Sequence, residues 1–234
     1  MVYKEVCEAR FLSRPNRFVA LVDREGCPER VHVKNTGRCA ELLVPGARVW
    51  LSRAENPARR TPYDLIAVEK QRPAGPLLIN MDSAAPNAVA GEWLRSGGLG
   101  RLDQVRAEYR LGDSRFDFFA RRGEEKLLIE VKGCTLEEGG LARFPDAPTL
   151  RGLKHVRELT RLAGQGWKCF VLIVIQMKEI RLFAPNWATH PEFGLALAEA
   201  RRAGVEILAM NCIATADSLR IDRPVPVDLS LPAK

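Results

Sequence analysis

The sequence predicts a chain of the α/β (α+β) class in two parts. A small OB-like β-barrel is expected over residues 1–82, followed by a larger mixed-sheet domain over residues 83–234. Three observations carry this. Residues 10–80 read as short alternating strands separated by turn residues, the pattern of a small barrel or sandwich. Beyond Met81 helical periodicity begins and strands alternate with helices, which is an α/β layout. Finally, WKCFVLIVIQM (167–177) is almost unbroken apolar sequence, as expected of a strand buried on both faces.

In the first part, FVALVD (18–23) leads through REGCPE to RVHVKN (30–35). VPGARVWLS (44–52), YDLIAVEK (63–70) and PLLIN (76–80) follow. Five strands in about 70 residues is the scale of an OB-type barrel, whose face and loops often hold nucleic acid. In the second part, Asp82 or Ser83 is positioned to cap a helix running to about Arg95, stopped by Gly97-Gly98. RAEYRLGDSRFDFFA and KLLIEVKG supply strands, and a loop then ends in LARFPDAPT. Thr149 can cap LRGLKHVRELTRLA, closed by Gly164 and Gly166. PEFGLALAEARRAG (191–204) reads as a third helix and VEILAMNCIA (205–214) as a further strand.

The chain has 234 residues, 46% of them hydrophobic, and no run approaches the roughly 20 apolar residues that a membrane helix requires. Met1-Val2-Tyr3 leads into KEVCEARF with no apolar leader, so a cytoplasmic protein without membrane partners is expected. Six scattered cysteines with no CxxC fit reduced packing residues, and the three histidines do not cluster with them. The net charge is +7, with 14 basic against 10 acidic residues up to Ser83 and 22 against 19 beyond it. Such a balance favours polyanionic partners, nucleic acid above all, although solvated surface arginines explain it equally well.

The stretch SRFDFFARRGEEKLLIEVKG (114–133) carries Asp117 on one arm of a hairpin and Glu130 with Lys132 on the other. By strand alternation Leu128, Glu130 and Lys132 share one face, and Leu127, Ile129 and Val131 the other. Asp117 joins Glu130 only if opposed positions sum to an odd number, which the turn around 121–124 permits but does not force. Given that register, two carboxylates converge as hard oxygen ligands suited to Mg²⁺ or Mn²⁺. Lys132 could then hold a nucleophilic water or neutralise the charge developing on a phosphodiester. The alternative is a solvated strand with a Glu130–Lys132 salt bridge. For an isolated D…ExK match that alternative is the commoner outcome, because the pattern is short.

D-(x)n-E-x-K in a helix–hairpin–helix–strand setting resembles the PD-(D/E)XK nuclease superfamily. NTGRCAELLVPG (35–46), SRFDF (114–118), EVKGCTL (130–136), FPDAPTLRGLKHVREL (144–159) and GVEILA (204–209) resemble the SfsA family, the sugar fermentation stimulation proteins. That resemblance implies an OB-like domain followed by a PD-(D/E)XK nuclease-like domain. It also implies DNA binding without strong sequence preference and a regulatory role in sugar use. Residue by residue, Asp117, Glu130 and Lys132 match the catalytic core, with Asp117 and Glu130 as metal ligands. Glu92 is the candidate acid on the first helix, and Asn87 resembles the family's Asn at a helix start. Ala84-Ala85 depart from the family pattern at that helix entrance.

The expected DNA contacts are Arg14, Arg17, Lys34 and Arg38 in the barrel, Arg115 on the hairpin, and Arg151, Lys154 and His155 opening the helix after FPDAPT. A helix N-terminus with basic side chains is a ready phosphate site, and His155 could also act as a base. Arg115 is expected to pair with one of the acids when no DNA is bound. Asp146 is read first as a turn residue and second as a metal ligand. Phe18 and Trp50 are read as core rather than stacking residues. Three functional readings follow: a DNA-binding protein with a Mg²⁺-dependent phosphodiesterase site, a non-catalytic DNA-binding regulator with a vestigial site, and an RNA-binding or RNA-processing protein. A homodimer is left open.

Overall fold

The computed structural model describes residues 1–35, 37, 39–56 and 58–231. Six strands form the first sheet: β1 (Val6–Asn16), β2 (Val19–Arg24), β3 (Cys27–Val33), β4 (Arg48–Arg53), β5 (Tyr63–Lys70) and β6 (Leu77–Asn80). Their order is β3-β2-β1-β4-β5-β6, and a parallel pairing of β3 with β5 closes β1–β5 into a barrel. The barrel class is therefore as expected, but its membership differs. β1 is not legible in the sequence, because only Ala9 and Phe11 point into the core and Pro15 argues against a strand. The expected fifth strand, β6, instead runs along the outer part of β5 and leads to the second domain.

The second part begins with α1 (Ala85–Arg95) and continues through β7 (Gln104–Leu111), β8 (Ser114–Arg122) and β9 (Glu125–Cys134). A hairpin of β10 (Leu136–Glu138) and β11 (Leu141–Phe144) occupies what the sequence suggested was loop. Then come α2 (Leu150–Ala163), β12 (Lys168–Ile175), β13 (Leu182–Pro185), α3 (Pro191–Arg202), β14 (Glu206–Ala214) and β15 (Leu219–Val225). The main sheet runs β15-β14-β12-β9-β8-β7, with β12 parallel to both β9 and β14 and the remaining pairs antiparallel. β10, β11 and β13 form a small second sheet.

Helix α1 covers one face of the main sheet, with Val89, Ala90 and Leu94 in the cluster that holds Phe118, Ile129 and Leu172. α2 and α3 cover the other face, where Val156, Leu159, Phe193 and Leu197 join one continuous core with Val22, Leu65 and Ile79 of the barrel. α1 is not capped by Asp82 or Ser83. Ala84 is its N-cap, with Pro86 in the first turn, while Asp82 turns back to accept the Ala84 N–H at 2.9 Å. Thr149 does cap α2, accepting from the Gly152 N–H at 3.1 Å.

The two parts are tightly joined. Gln176 at the end of β12 donates to the Asn80 and Asp82 carbonyls, at 3.1 and 3.0 Å. Glu137, 1% exposed, faces Lys70 and Arg72 of the barrel. Residues 1–3 also cross to the second domain, where the Tyr3 N–H donates to the Asp217 carbonyl. All six cysteines are free thiols, and no helix of the described residues is long and apolar enough to cross a membrane.

Candidate functional site

The β8–β9 hairpin has the register that brings the acids together. Phe118 opposes Ile129, Phe119 opposes Leu128 and Ala120 opposes Leu127, so each pair sums to the required odd number. The regular pairing ends at Phe118–Ile129, one step before Asp117 and Glu130. Side-chain alternation also breaks at this point. Phe116 packs on the α2 side and Phe118 on the α1 side, although residues two apart in a regular strand share a face. Opposite this break on β7, Glu108 has a left-handed φ of 53°, a conformation that side-chain-bearing residues seldom adopt.

Asp117 fills the gap where the strands part. Its Oδ2 accepts the Val131 N–H at 2.7 Å, replacing a ladder carbonyl, and its Oδ1 accepts from Asn87 Nδ2 of α1 at 2.8 Å. Glu130 is 2% exposed. Its Oε1 takes two donors, Lys132 Nζ at 2.5 Å and His155 Nδ1 at 2.6 Å, while Oε2 is buried without a hydrogen-bond partner. An ionised carboxylate only accepts, so the His155 Nδ1 carries the proton of that bond.

The two carboxyls are driven in opposite directions. Burial, then the charge of Glu130, push the Asp117 pKa above the usual carboxylate range, and the Val131 N–H, Asn87 and Lys132 offset this only in part. Burial would raise Glu130 too, but the His155 hydrogen bond and Lys132 outweigh it and hold its carboxyl below the usual range. Splitting a pair of acids in this way is how sites separate a charged ligand from a proton carrier.

Not every expected residue belongs to the site. Glu92 is solvent-exposed and pairs with the Met1 ammonium at 2.7 Å, so the contribution of α1 is the neutral Asn87. Helical periodicity explains the error: positions five apart lie on different faces. His155 is not a surface DNA contact but a 9%-exposed partner of Glu130. Lys34 is bound to buried Asp82 at 2.7 Å, and Arg14 donates to the carbonyls of Arg17, Asn35 and Gly37. Arg115 faces Glu108 at 3.9 Å rather than either site acid. Arg17, Arg151 and Lys154 are exposed, as a phosphate contact requires, whereas Arg38 lies outside the described residues. Phe18, expected in the core, is 52% exposed beside Arg17, and Phe11 is buried.

Glu130 and Asp117 are the side chains that could hold a hard divalent cation. Glu130 Oε2 is an orphaned buried acceptor, and Asp117 stands beside it with spare lone pairs. Among the described residues no group of three or more His, Cys, Asp and Glu side chains is arranged to hold a metal. A cation there would complete its shell from water and substrate oxygens, as Mg²⁺ commonly does.

Comparison with known proteins settles the lineage. Residues 84–218 match the family model described as "Sugar fermentation stimulation protein RE domain", and residues 12–77 match "SfsA N-terminal OB domain". The chain belongs to the SfsA family. The sugar fermentation stimulation protein homolog of Desulfitobacterium hafniense (strain DSM 10664 / DCB-2) is 49% identical over 229 residues, covering 98% of this chain and 99% of the relative. The homolog of Ruminiclostridium cellulolyticum is 47% identical over 230 residues, covering 98% and 100%. Among solved structures, Pyrococcus furiosus SfsA in complex with Ca²⁺ superposes with a TM-score of 0.85 at 26% identity, covering 97% of this chain and 98% of that one. The SfsA-family barrel and mixed-sheet domain are thus both present here.

Proposed function

We propose that this SfsA-family protein binds DNA with little sequence preference and hydrolyses phosphodiesters at a Mg²⁺- or Mn²⁺-dependent site built on Asp117 and Glu130. The observation that carries the reading is the state of Glu130. One oxygen is fixed by Lys132 and His155, and the other is buried and unpartnered next to a second carboxylate. A surface salt bridge would leave both oxygens in water. The Ca²⁺ complex of the Pyrococcus furiosus relative supports a hard cation on this fold.

The cation would polarise the phosphodiester and activate water. The residues of this chain have separate parts in that chemistry. Glu130 stays ionised, held by His155 and Lys132. Asp117 is oriented by Asn87 and the Val131 N–H. The Lys132 ammonium, held against Glu130, would meet charge developing on a phosphodiester bound there. Exposed Arg17, Arg151 and Lys154 supply backbone phosphate contacts. The replacement of the expected α1 acid by Asn87 favours a second reading, a DNA-binding regulator whose metal site is not catalytic.

Labelled single- and double-stranded DNA and RNA, incubated with protein and Mg²⁺ or Mn²⁺, separate these readings. The proposal expects cleavage that EDTA abolishes and that Glu130→Gln lacks. Salt-sensitive binding without any cleavage would leave the regulator reading.

A further inference from the structure

A cleft of about 320 Å³ opens beside the acidic site, between the barrel and the second domain. It begins one residue from the site on two elements: Gly133 follows Lys132 on β9, and Pro86 precedes Asn87 on α1. Phe144, half-buried and packed edge-on to Phe193, lines it, as do Thr135 and Asp146. Across its mouth Asn35 and Gly37 of the barrel meet the FPDAPT loop. A Cβ on Gly37 would stand 2.5 Å from Asp146 Oδ2 and 2.9 Å from Asn35 Oδ1. Asn35 and Gly37 of one resemblance-bearing block and the FPDAPT loop of another thus line this cleft rather than the carboxylates themselves.

Among the described residues the cleft offers a phosphate no unpaired cation: Arg143 lines it but is bonded to Glu138 at 3.0 Å. Asp146 is exposed, and among the described residues it makes no hydrogen bond or ion pair. The cleft thus offers an acceptor-only carboxylate, a hydroxyl at Thr135 and an aromatic ring. A nucleobase presents the complementary chemistry, with amino N–H donors on its edge and a π-face for stacking. The volume also lies within the range that holds small ligands, which starts at about 300 Å³.

Resting on the reading that the neighbouring site takes a DNA phosphodiester, we infer that this cleft receives an unpaired nucleobase adjoining the bound phosphate. The substrate class is then single-stranded DNA or strand ends, because a base inside a duplex has its edge paired and its faces stacked. Bases with exocyclic amino groups, adenine, cytosine and guanine, are preferred over thymine by Asp146.

The test is fluorescence anisotropy with short labelled homopolymeric deoxyoligonucleotides and a blunt duplex, in Ca²⁺ at fixed salt. Wild-type protein should bind amino-bearing single strands at least about tenfold more tightly than duplex, the scale of one stacked base. Ala147→Trp, which fills the cleft, should lower single-strand affinity to the duplex level and leave duplex binding unchanged. Asp146→Asn, at an exposed position, should shift preference toward thymine. A salt-sensitive protein that binds duplex as well as single strands, or variants that keep the wild-type preference, would overturn the cleft assignment alone. No binding to either form would overturn both it and the DNA reading.

Discussion

Glu130 is the residue on which the site turns, and its neighbours were only partly legible in the sequence. The D…ExK pattern singles out Asp117, Glu130 and Lys132, and the odd-sum register of the hairpin brings Asp117 level with Glu130, but the break in alternation that seats Asp117 on the Val131 N–H is not legible in it. The resemblance points to Asn87 and, more weakly, to Glu92 on the first helix, and nothing in the sequence reveals the tie of Glu92 to the N-terminus. The bond from His155 to Glu130 spans 25 residues and depends on α2 packing across β9, which no local pattern encodes. Two predictions belong at this scale. Asp117 has a raised pKa in the folded protein, so in metal-free protein its contribution to stability is lost as pH rises through that value. Asp117→Asn should therefore melt higher than wild type at neutral pH in EDTA, with the gain vanishing below about pH 3.9, where both forms of the chain are protonated. Thermal melts across pH check this. Lys132→Ala should retain DNA binding and lower the cleavage rate by about 10²–10³, the usual cost of one preorganised electrostatic group, as single-turnover assays would show.

The elements explain why these side chains are held where they are. β8 leaves β9 after Phe118, and Asp117 takes over the hydrogen bond that the ladder gives up. Beyond Lys132, β9 continues through Gly133, which α1 and β12 approach closely. A Cβ there would stand 2.6 Å from both Pro86 Cγ and Gln176 Oε1. Gly133→Ala should therefore destabilise the protein by about 1–3 kcal/mol, as overpacking does, and chemical denaturation would measure it. The long periodic elements α2, α3 and β12 were readable because each buries one complete face or both. β1, β10, β11, β13 and β15 were not. They are short or carry few inward apolar residues, and long-range pairing rather than local propensity defines them.

At the scale of the molecule, the barrel and the mixed sheet share one core, and buried Glu137 binds Lys70 and Arg72 across the junction. Glu137→Ala leaves the half-buried Lys70 without its carboxylate, while Arg72 keeps Glu179 at 2.8 Å, so a loss of about 1–3 kcal/mol is expected, visible as a lowered melting temperature. A fixed junction keeps the cleft and the carboxylates in register, which a two-domain reading from composition alone does not convey. The charge surplus in both parts predicts DNA affinity that falls linearly with salt on a log–log plot, with a slope that counts the phosphates neutralised. The proposed chemistry depends on Asp117 and Glu130 binding a hard divalent cation. Calorimetric titration of Mn²⁺ into wild type and Glu130→Gln at neutral pH tests that most directly. Saturable binding to wild type that the variant loses, with the circular dichroism of both proteins unchanged, is the predicted result. Equal Mn²⁺ affinity in the two proteins, or none in wild type, would contradict it.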